Sequence, residues 1–316
     1  MKIVVTGAGG FIGSHLSKRL MEAGHDIIGL FQPGEKNGTP GLKMVEADIV
    51  AGKVLGDAFA EAEAVIHLAA RNHVLKETAR NPLTEYRRVN VLGTANVIRA
   101  AGRAGIRLFV HFSSVKAMGE WARDILDEES PCIPGTPYGI SKLESEEVVH
   151  NETNGTCMSS IVLRLPMVYG PGNKGNLPRM IRWAQRGYPF PIFHPENFRS
   201  MIYVGNVVAG IMAILKASLP ASTTYILKDR EDYSTRTVYS AICRELGKSP
   251  RFFPVPAMLV RLGGRLSDDF RKVTGSFRVS SEKIEKELGF APPFSLEEGL
   301  ARTVQWYKRS AQSRSA

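Results

Sequence analysis

The chain has 316 residues, 43% of them apolar and 23% charged, with a formal net charge of +10. That balance belongs to a folded globular protein and excludes a disordered or low-complexity chain. Three isolated cysteines (Cys132, Cys157, Cys243) give neither a disulfide framework nor metal-ligand spacing, so no metal site is expected, and no apolar run is long enough to span a bilayer.

The first predicted element is a strand, Ile3-Val4-Val5, that runs into Thr6-Gly7-Ala8-Gly9-Gly10 and then into a helix in which Phe11, Ile12, Leu16 and Leu20 recur at three- and four-residue spacing. With the first strand read from Lys2 into glycines no cleavable leader is expected, and a reducing, cytoplasmic location is expected. Strand, glycine turn and helix make the phosphate-binding entry of a dinucleotide fold. Gly7 permits the tight turn, Gly10 lets backbone approach a pyrophosphate, and Gly13 lets helix and strand pack closely. The pyrophosphate would rest on unpaired N–H groups at the positive helix end.

A second strand is predicted over Asp26–Phe31. Its end is where an acid would hold an adenosine ribose, but the position is Phe31, followed by Gln32. Glu35 and Lys36 could reach that ribose and would favour opposite cofactors, a carboxylate NAD and a cation the 2′-phosphate of NADP. Lys43–Glu46 is the third strand; the following Asp48 could meet an adenine amino group or cap the next helix. The fourth strand, Ala64–Leu68, ends in Ala69-Ala70, small enough for a flat ligand to approach backbone, and its His67 reads as a core histidine.

Pro82–Ala104 is predicted as one long amphipathic helix whose Asn90 ties it to a neighbouring strand end. A fifth strand, Arg107–Ser113, leads into Ser114; a proline-rich loop spans 119–137, and a helix opens at Tyr138. Ser159–Leu165 is the sixth strand, followed by a Gly/Pro-rich crossing through Asn176. Beyond it the alternation is lost. Helices are expected near Leu177–Gln185, Val204–Lys216 and Thr235–Leu246, a strand near Tyr225–Leu227, a break over Pro250–Pro256 and a last helix over Leu296–Trp306. The Lys308–Arg314 tail reads as solvated and disordered. Strands alternating with helices predict an α/β fold, a Rossmann-type doubly wound parallel sheet with a smaller C-terminal substrate-binding lobe. The expected division is residues 1–165, with returning segments around 200–247, and a lobe of 166–199 and 248–316.

Tyr138 and Lys142 lie four apart at the start of a helix and share one face. A nearby ammonium and the positive helix end both favour a phenolate, which would make Tyr138 a general acid or base near neutral pH. Ser114, at a strand end, could hydrogen-bond the same substrate oxygen, on the side of the sheet where the glycine turn lies. With a dinucleotide, this set is chemically complete for oxidising or reducing a secondary alcohol.

The chain closely resembles the extended short-chain dehydrogenase/reductase family. The matching blocks are Thr6-Gly7-x-x-Gly10-x-x-Gly13, His67-Leu68-Ala69-Ala70, Asn90, Ser113-Ser114, Tyr138-x-x-x-Lys142 and Arg164-Leu165-Pro166-Met167-Val168-Tyr169-Gly170-Pro171-Gly172, in order over nearly the whole chain. Within the family it looks most like sugar-nucleotide 4-epimerases and 4-keto-sugar reductases. The resemblance implies a catalytic set of Ser114, Tyr138 and Lys142. For NAD or NADP, with NAD ahead, it implies Gly7, Gly10, Phe11, Ile12, Gly13, Phe31, Asp48, Ile49, Leu68, Ala69, Ala70, Asn90, Tyr138, Lys142 and Pro166. For a nucleotide-sugar substrate it implies Ser114, Asn176, Leu177 and Arg199, the last on the diphosphate, with a second phosphate arginine near Arg271 to Arg278. It also implies a homodimer formed through the helices that start near Pro82 and Tyr138. The basic residues are scattered, with no aromatic-interleaved stripe for nucleic acid, and suit a phosphate-bearing cofactor and substrate. Val115-Lys116 stands where 4,6-dehydratases have an Asp-Glu pair, so water elimination is disfavoured; Lys116 is left as a substrate contact or an exposed residue.

Overall fold

The computed structural model describes residues 1–35, 38–52, 55–72, 79–192, 197–217, 222–255 and 275–312. Its main sheet alternates with helices: β1 (Lys2–Thr6), α1 (Phe11–Glu22), β2 (Asp26–Phe31), β3 (Lys43–Glu46), α2 (Leu55–Phe59) and β4 (Ala64–His67). There follow α3 (Pro82–Arg87), α4 (Gly93–Arg103), β5 (Leu108–Ser114), α5 (Pro137–Thr153) and β6 (Ser159–Leu165). The sheet is completed by β10 (Ser222–Ile226), in the order β3-β2-β1-β4-β5-β6-β10 with every pair parallel. Strand order reverses between β1 and β4, and a ligand crevice opens at the carboxyl ends of the strands around such a switch point.

Alternation along the strands builds a core on each face. Ile3 and Val5 join Leu16 and Leu20 of α1 and Ile211 of α7 (Val204–Ile214), whereas Val4 and Val65 join Val97 and Ile98 of α4 and Val149 of α5. Burial on both faces explains why β1 and β4 read as continuous apolar runs rather than alternating ones.

The remaining chain makes two small sheets and a third core. β7 (Met167–Tyr169) pairs parallel with β9 (Phe198–Tyr203), and β9 pairs antiparallel with β11 (Asp232–Ser234). β8 (Phe190–Ile192) pairs with β12 (Phe252–Pro254). Leu177 and Ile181 of α6 (Asn176–Arg186), Val238 and Ile242 of α8 (Thr235–Glu245), and Leu300 and Val304 of α10 (Leu296–Gln312) form the core beneath them. A short helix, α9 (Glu282–Leu288), packs against β10.

Three sequence expectations change. The helix predicted over Pro82–Ala104 is α3 and α4 joined by a π turn, Arg88–Leu92, at whose centre Asn90 is buried. The break at Pro250–Pro256 contains β12, whose Phe252 ring packs edge-on against Tyr239. The tail is helical through Gln312, because the apolar spacing of Leu300, Val304 and Tyr307 continues and Lys308 Nζ donates to the Glu245 carbonyl at 3.2 Å.

A buried ion pair clamps α5 to β6. Arg164 Nη2 donates to Glu146 Oε2 at 2.8 Å and its Nε to the same carboxylate at 3.1 Å, with the Ser113 hydroxyl as a further donor. Only 2% of the Glu146 side chain and 8% of the Arg164 side chain reach solvent, so removing one partner strands the other charge in the core. Arg164→Leu is expected to cost about 3–5 kcal/mol, read as a fall in the urea midpoint, while Arg164→Leu with Glu146→Leu recovers most of that loss.

Candidate active site

The glycine turn is shaped as its residues suggested. Gly7 adopts a φ of +68°, which glycine tolerates best. A Cβ on Gly13 would lie 2.2 Å from the Gly7 carbonyl oxygen and 2.8 Å from the Ala8 Cα, so α1 can approach β1 only with glycine there. A Cβ on Gly7 would lie 2.9 Å from the Ala69 nitrogen, which brings the end of β4 against the turn. Gly10 caps α1 without a side chain, and no acid stands in the helix's first turn, which leaves its positive end open to an anion. These residues fit a dinucleotide pyrophosphate, and Gly7, Gly10, Phe11, Ile12 and Gly13 would hold it.

Behind the turn lies a buried polar chain. The amides of Leu68 and Ala69 donate to Thr6 Oγ1 at 3.2 and 3.1 Å, so the Thr6 hydroxyl donates on to His67 Nδ1 at 2.7 Å. His67 Nε2 then donates to Thr94 Oγ1 at 3.0 Å, and Thr94 donates to the Asn90 carbonyl at 2.6 Å. Burial, with Lys142 nearby, lowers the His67 pKa to about 3, so the ring stays neutral in this role. His67 is a core histidine, as its apolar strand suggested.

Asn90 does tie its helix to a strand end. Its Oδ1 accepts from the Arg71 amide at 2.7 Å, and its Nδ2 donates to the Arg71 carbonyl at 3.1 Å and to Ser141 Oγ at 2.9 Å. Both amide protons are therefore engaged by protein. Ser141 passes the contact on to the Tyr138 carbonyl at 2.8 Å.

Ser114 ends β5 and caps a 3-10 turn, Val115–Ala117, with its Oγ accepting from Lys116 N at 3.2 Å. Opposite, Thr136 caps α5 by accepting from Gly139 N at 3.2 Å, with Pro137 in the first helical turn. A Cβ on Gly139 would lie 2.4 Å from the Lys116 carbonyl oxygen, so glycine there lets α5 close on the Ser114 turn. The structure thus brings the Ser114 and Tyr138 hydroxyls near each other, with Ser114 Oγ donating to the Leu165 carbonyl at 3.4 Å and Lys142 on the next turn of α5.

The electrostatics differ from the sequence expectation. Although Tyr138 as a residue is half-buried, packing round its hydroxyl pushes the phenol up to about 12, against a lowering by the neighbouring Ser114 hydroxyl. Burial also lowers Lys142 to about 8, partly opposed by Glu146. Lys142 Nζ donates to the Phe112 carbonyl at 2.6 Å.

The other named residues divide. Phe31 turns its side chain into the core under the glycine turn, so it offers a ribose no side-chain contact. The next residue, Gln32, is exposed and Glu35 half-buried, while Lys36 lies outside the described residues. Asp48 caps no helix; its Oδ1 closes a tight turn by accepting from Val50 N at 2.8 Å, and the residue is exposed. Ile49 is buried against Gly93, and Leu68, Ala69 and Ala70 are half-buried beyond β4. Pro166 is buried between β6 and β7. Asn176 is exposed at the first residue of α6, but the Leu177 side chain belongs to the third core and leaves only backbone for a ligand. Arg199 is half-buried on β9, where Nη2 donates to the Gly275 carbonyl at 2.9 Å and burial lowers its pKa against the opposing charge of Glu120. Arg271 lies outside the described residues; the Arg278 carbonyl accepts from Leu126 N at 3.0 Å.

A glycine-cradled Rossmann sheet whose strand ends bring serine, tyrosine and lysine together defines a dinucleotide-dependent enzyme of the extended short-chain dehydrogenase/reductase type. The chain belongs to the NAD dependent epimerase/dehydratase family, whose profile matches residues 3–227. It is 31% identical over 309 residues to a UDP-glucose 4-epimerase of Vibrio cholerae, covering 96% of this chain and 94% of that one. It is 28% identical over 320 residues to the N-acetyl-alpha-D-glucosaminyl-diphospho-ditrans,octacis-undecaprenol 4-epimerase of Escherichia coli O157:H7, covering 96% and 94%. The solved structure of MoeE5 in complex with UDP-glucuronic acid and NAD is similar with a TM-score of 0.81 and 28% identity, covering 98% of this chain and 100% of that one.

The lowered lysine has a testable sign. Between about 8 and the ordinary lysine value the unfolded chain binds the proton that folded Lys142 has lost, so its contribution to stability rises with pH through that window. The urea midpoint of the wild type is therefore expected to gain on that of Lys142→Met as pH rises from 8 to 10, where both proteins share every other titrating group.

Proposed function

We propose that the protein is an NAD-dependent sugar-nucleotide 4-epimerase, acting at C4 of a UDP- or dTDP-sugar. The observation that favours it most is that Ser114, at the end of β5, meets Tyr138 at the start of α5, one helical turn from Lys142. The 4-epimerases among the relatives support the reaction, and the UDP-sugar and NAD in the MoeE5 complex support the substrate and cofactor classes.

When bound, the dinucleotide supplies the two-electron acceptor and donor for the sugar's secondary alcohol. Tyr138 would take the C4 hydroxyl proton and later return it, and Ser114 would hold the same oxygen in line. Lys142 would move its charge toward the phenol, lowering the tyrosine pKa, and hold the nicotinamide ribose. The uncapped first turn of α6, starting at Asn176, would meet the nucleotide, and the Arg199 guanidinium the diphosphate. A 4-epimerase must present both faces of C4 to one fixed acid–base group, so the sugar turns while its diphosphate stays held. A 4-keto-sugar reductase would use the same parts and is the second reading. The division into a dinucleotide-binding unit (1–165, with returning segments around 200–247) and a substrate lobe (166–199 and 248–316) belongs to this proposal. So do a cytoplasmic location and a homodimer paired through α3 and α5; among the described residues no helix is long and apolar enough to cross a membrane.

The purified protein should interconvert UDP-glucose and UDP-galactose with no cofactor added, and a strict need for stoichiometric NAD(P)H would sink the epimerase reading in favour of the reductase. Tyr138→Phe is expected to lower kcat about 10²–10⁴-fold with the fold intact by circular dichroism. Arg199→Ala should act chiefly on KM, because the diphosphate stays bound through ground and transition states alike.

A further inference from the structure

Glu120 stands just beyond the Ser114 turn, and both its carboxylate oxygens face inward. Oε2 accepts from Lys116 Nζ at 2.5 Å and Oε1 accepts from Thr136 Oγ1 at 2.8 Å. Each donor belongs to one side of the site. Lys116 is in the turn capped by Ser114, and its own amide donates to Ser114 Oγ. Thr136 is the cap of α5, two residues ahead of Tyr138, and its Oγ1 receives the Gly139 amide. Gly139 in turn lies against the Lys116 carbonyl, as near as a missing Cβ allows. A single carboxylate therefore joins the two segments whose spacing sets the distance from Ser114 to Tyr138.

The bridge is partly sealed from solvent. The Glu120 side chain is 9% exposed and Lys116 33%, so screening weakens this pair less than a surface pair. The loop is closed a second time by Ile133 N donating to the Met118 carbonyl at 3.1 Å, which returns the chain toward Thr136. Lys116, left open from sequence between substrate contact and exposed residue, is half-buried and turned to Glu120.

We propose that Glu120 is a positioning residue: through Lys116 and Thr136 it holds Ser114 at the working distance from Tyr138. The proposal rests on the assignment of Ser114 and Tyr138 above. Glu120 acts through these neighbours, and displacement of reacting groups by about 1 Å is enough to slow a reaction about 10²-fold.

The test uses the full chain with UDP-glucose, and hydrogen–deuterium exchange as a readout independent of turnover. Glu120→Ala is expected to lower kcat by about 10–100-fold; KM for UDP-glucose does not judge the bridge, because the Glu120 charge also acts on Arg199. Glu120→Gln, whose amide can still accept from Lys116 and meet Thr136, should restore most of the rate. In a Ser114→Ala background Glu120→Ala should add little, since the serine it places is gone. Amide exchange should quicken at 114–119 and 136–140 in Glu120→Ala and stay unchanged in Tyr138→Phe. Wild-type kcat in Glu120→Ala, an equal loss in the Ser114→Ala background, or unchanged exchange each overturns the proposal. Should Glu120→Ala not fold, Thr136→Val, which keeps the Lys116–Glu120 pair but cuts the bridge to α5, must show the same kcat loss and the same dependence on Ser114. Unchanged turnover in Tyr138→Phe would instead overturn the catalytic assignment, and exchange would still judge the bridge.

Discussion

The site depends on a buried hydrogen-bonded chain that runs from the glycine turn to α5. It passes from Thr6 through His67 and Thr94 to Asn90, and from the Asn90 side chain through Ser141 to the Tyr138 carbonyl. Every link is polar and nearly all of it is buried, so an unmade bond would leave a desolvated donor or acceptor inside the sheet. That penalty makes the arrangement close to all-or-none. It fixes how β1, β4, α4 and α5 sit relative to one another, and therefore where a cofactor held at Gly7–Gly13 would lie relative to Tyr138. A neutral His67 is essential to this, since it must accept from Thr6 and donate to Thr94 at once; its low pKa keeps that pattern throughout the physiological range.

The polar chain also accounts for the π turn at Arg88–Leu92. An extra residue in one helical turn swings Asn90 inward, where its amide meets both Arg71 and Ser141. An unbroken α-helix over Pro82–Ala104 would have a different phase on the two sides of Asn90. Tyr86 before the turn and Val97 and Ile98 after it are nonetheless all buried, which the inserted turn makes compatible.

How much of this was legible in the sequence follows from the range of each interaction. The β1 to β6 frame could be read because its signals are local: apolar runs, glycines at a turn, and periodic helices. Ser114, Tyr138 and Lys142 could be read because four-residue spacing on a helix and a position at a strand end have direct geometric meaning. The short strands β7, β8, β9, β11 and β12 could not, since three to six residues paired across long loops leave no periodic trace. Phe31 and Leu177 were named for their places in motifs, yet only tertiary packing decides that their side chains turn into cores. The Glu146–Arg164 clamp and the Glu120 bridge join residues 18 and 16 apart, beyond any local pattern. Thr136-Pro137, by contrast, is a legible helix start, and Glu146 four residues after Lys142 was a legible hint of a charge beneath the site.

Tyr138 and Lys142 show why resemblance to a catalytic pair does not by itself give its protonation state. Burial drives both toward their neutral forms, the phenol up to about 12 and the ammonium down to about 8, and Lys142 meanwhile satisfies its donor on the Phe112 carbonyl. Desolvation alone would therefore leave a poor acid–base group at neutral pH. What reverses it is a charge brought close: an ammonium that leaves Phe112 for the phenol stabilises the phenolate and is itself stabilised by it, so the two pKa values shift together. Glu146, fixed by Arg164 one turn below Lys142, keeps the ammonium from losing its proton altogether, because its negative charge opposes the desolvation. The clamp between α5 and β6 thus also supplies the charge that opposes loss of the Lys142 proton.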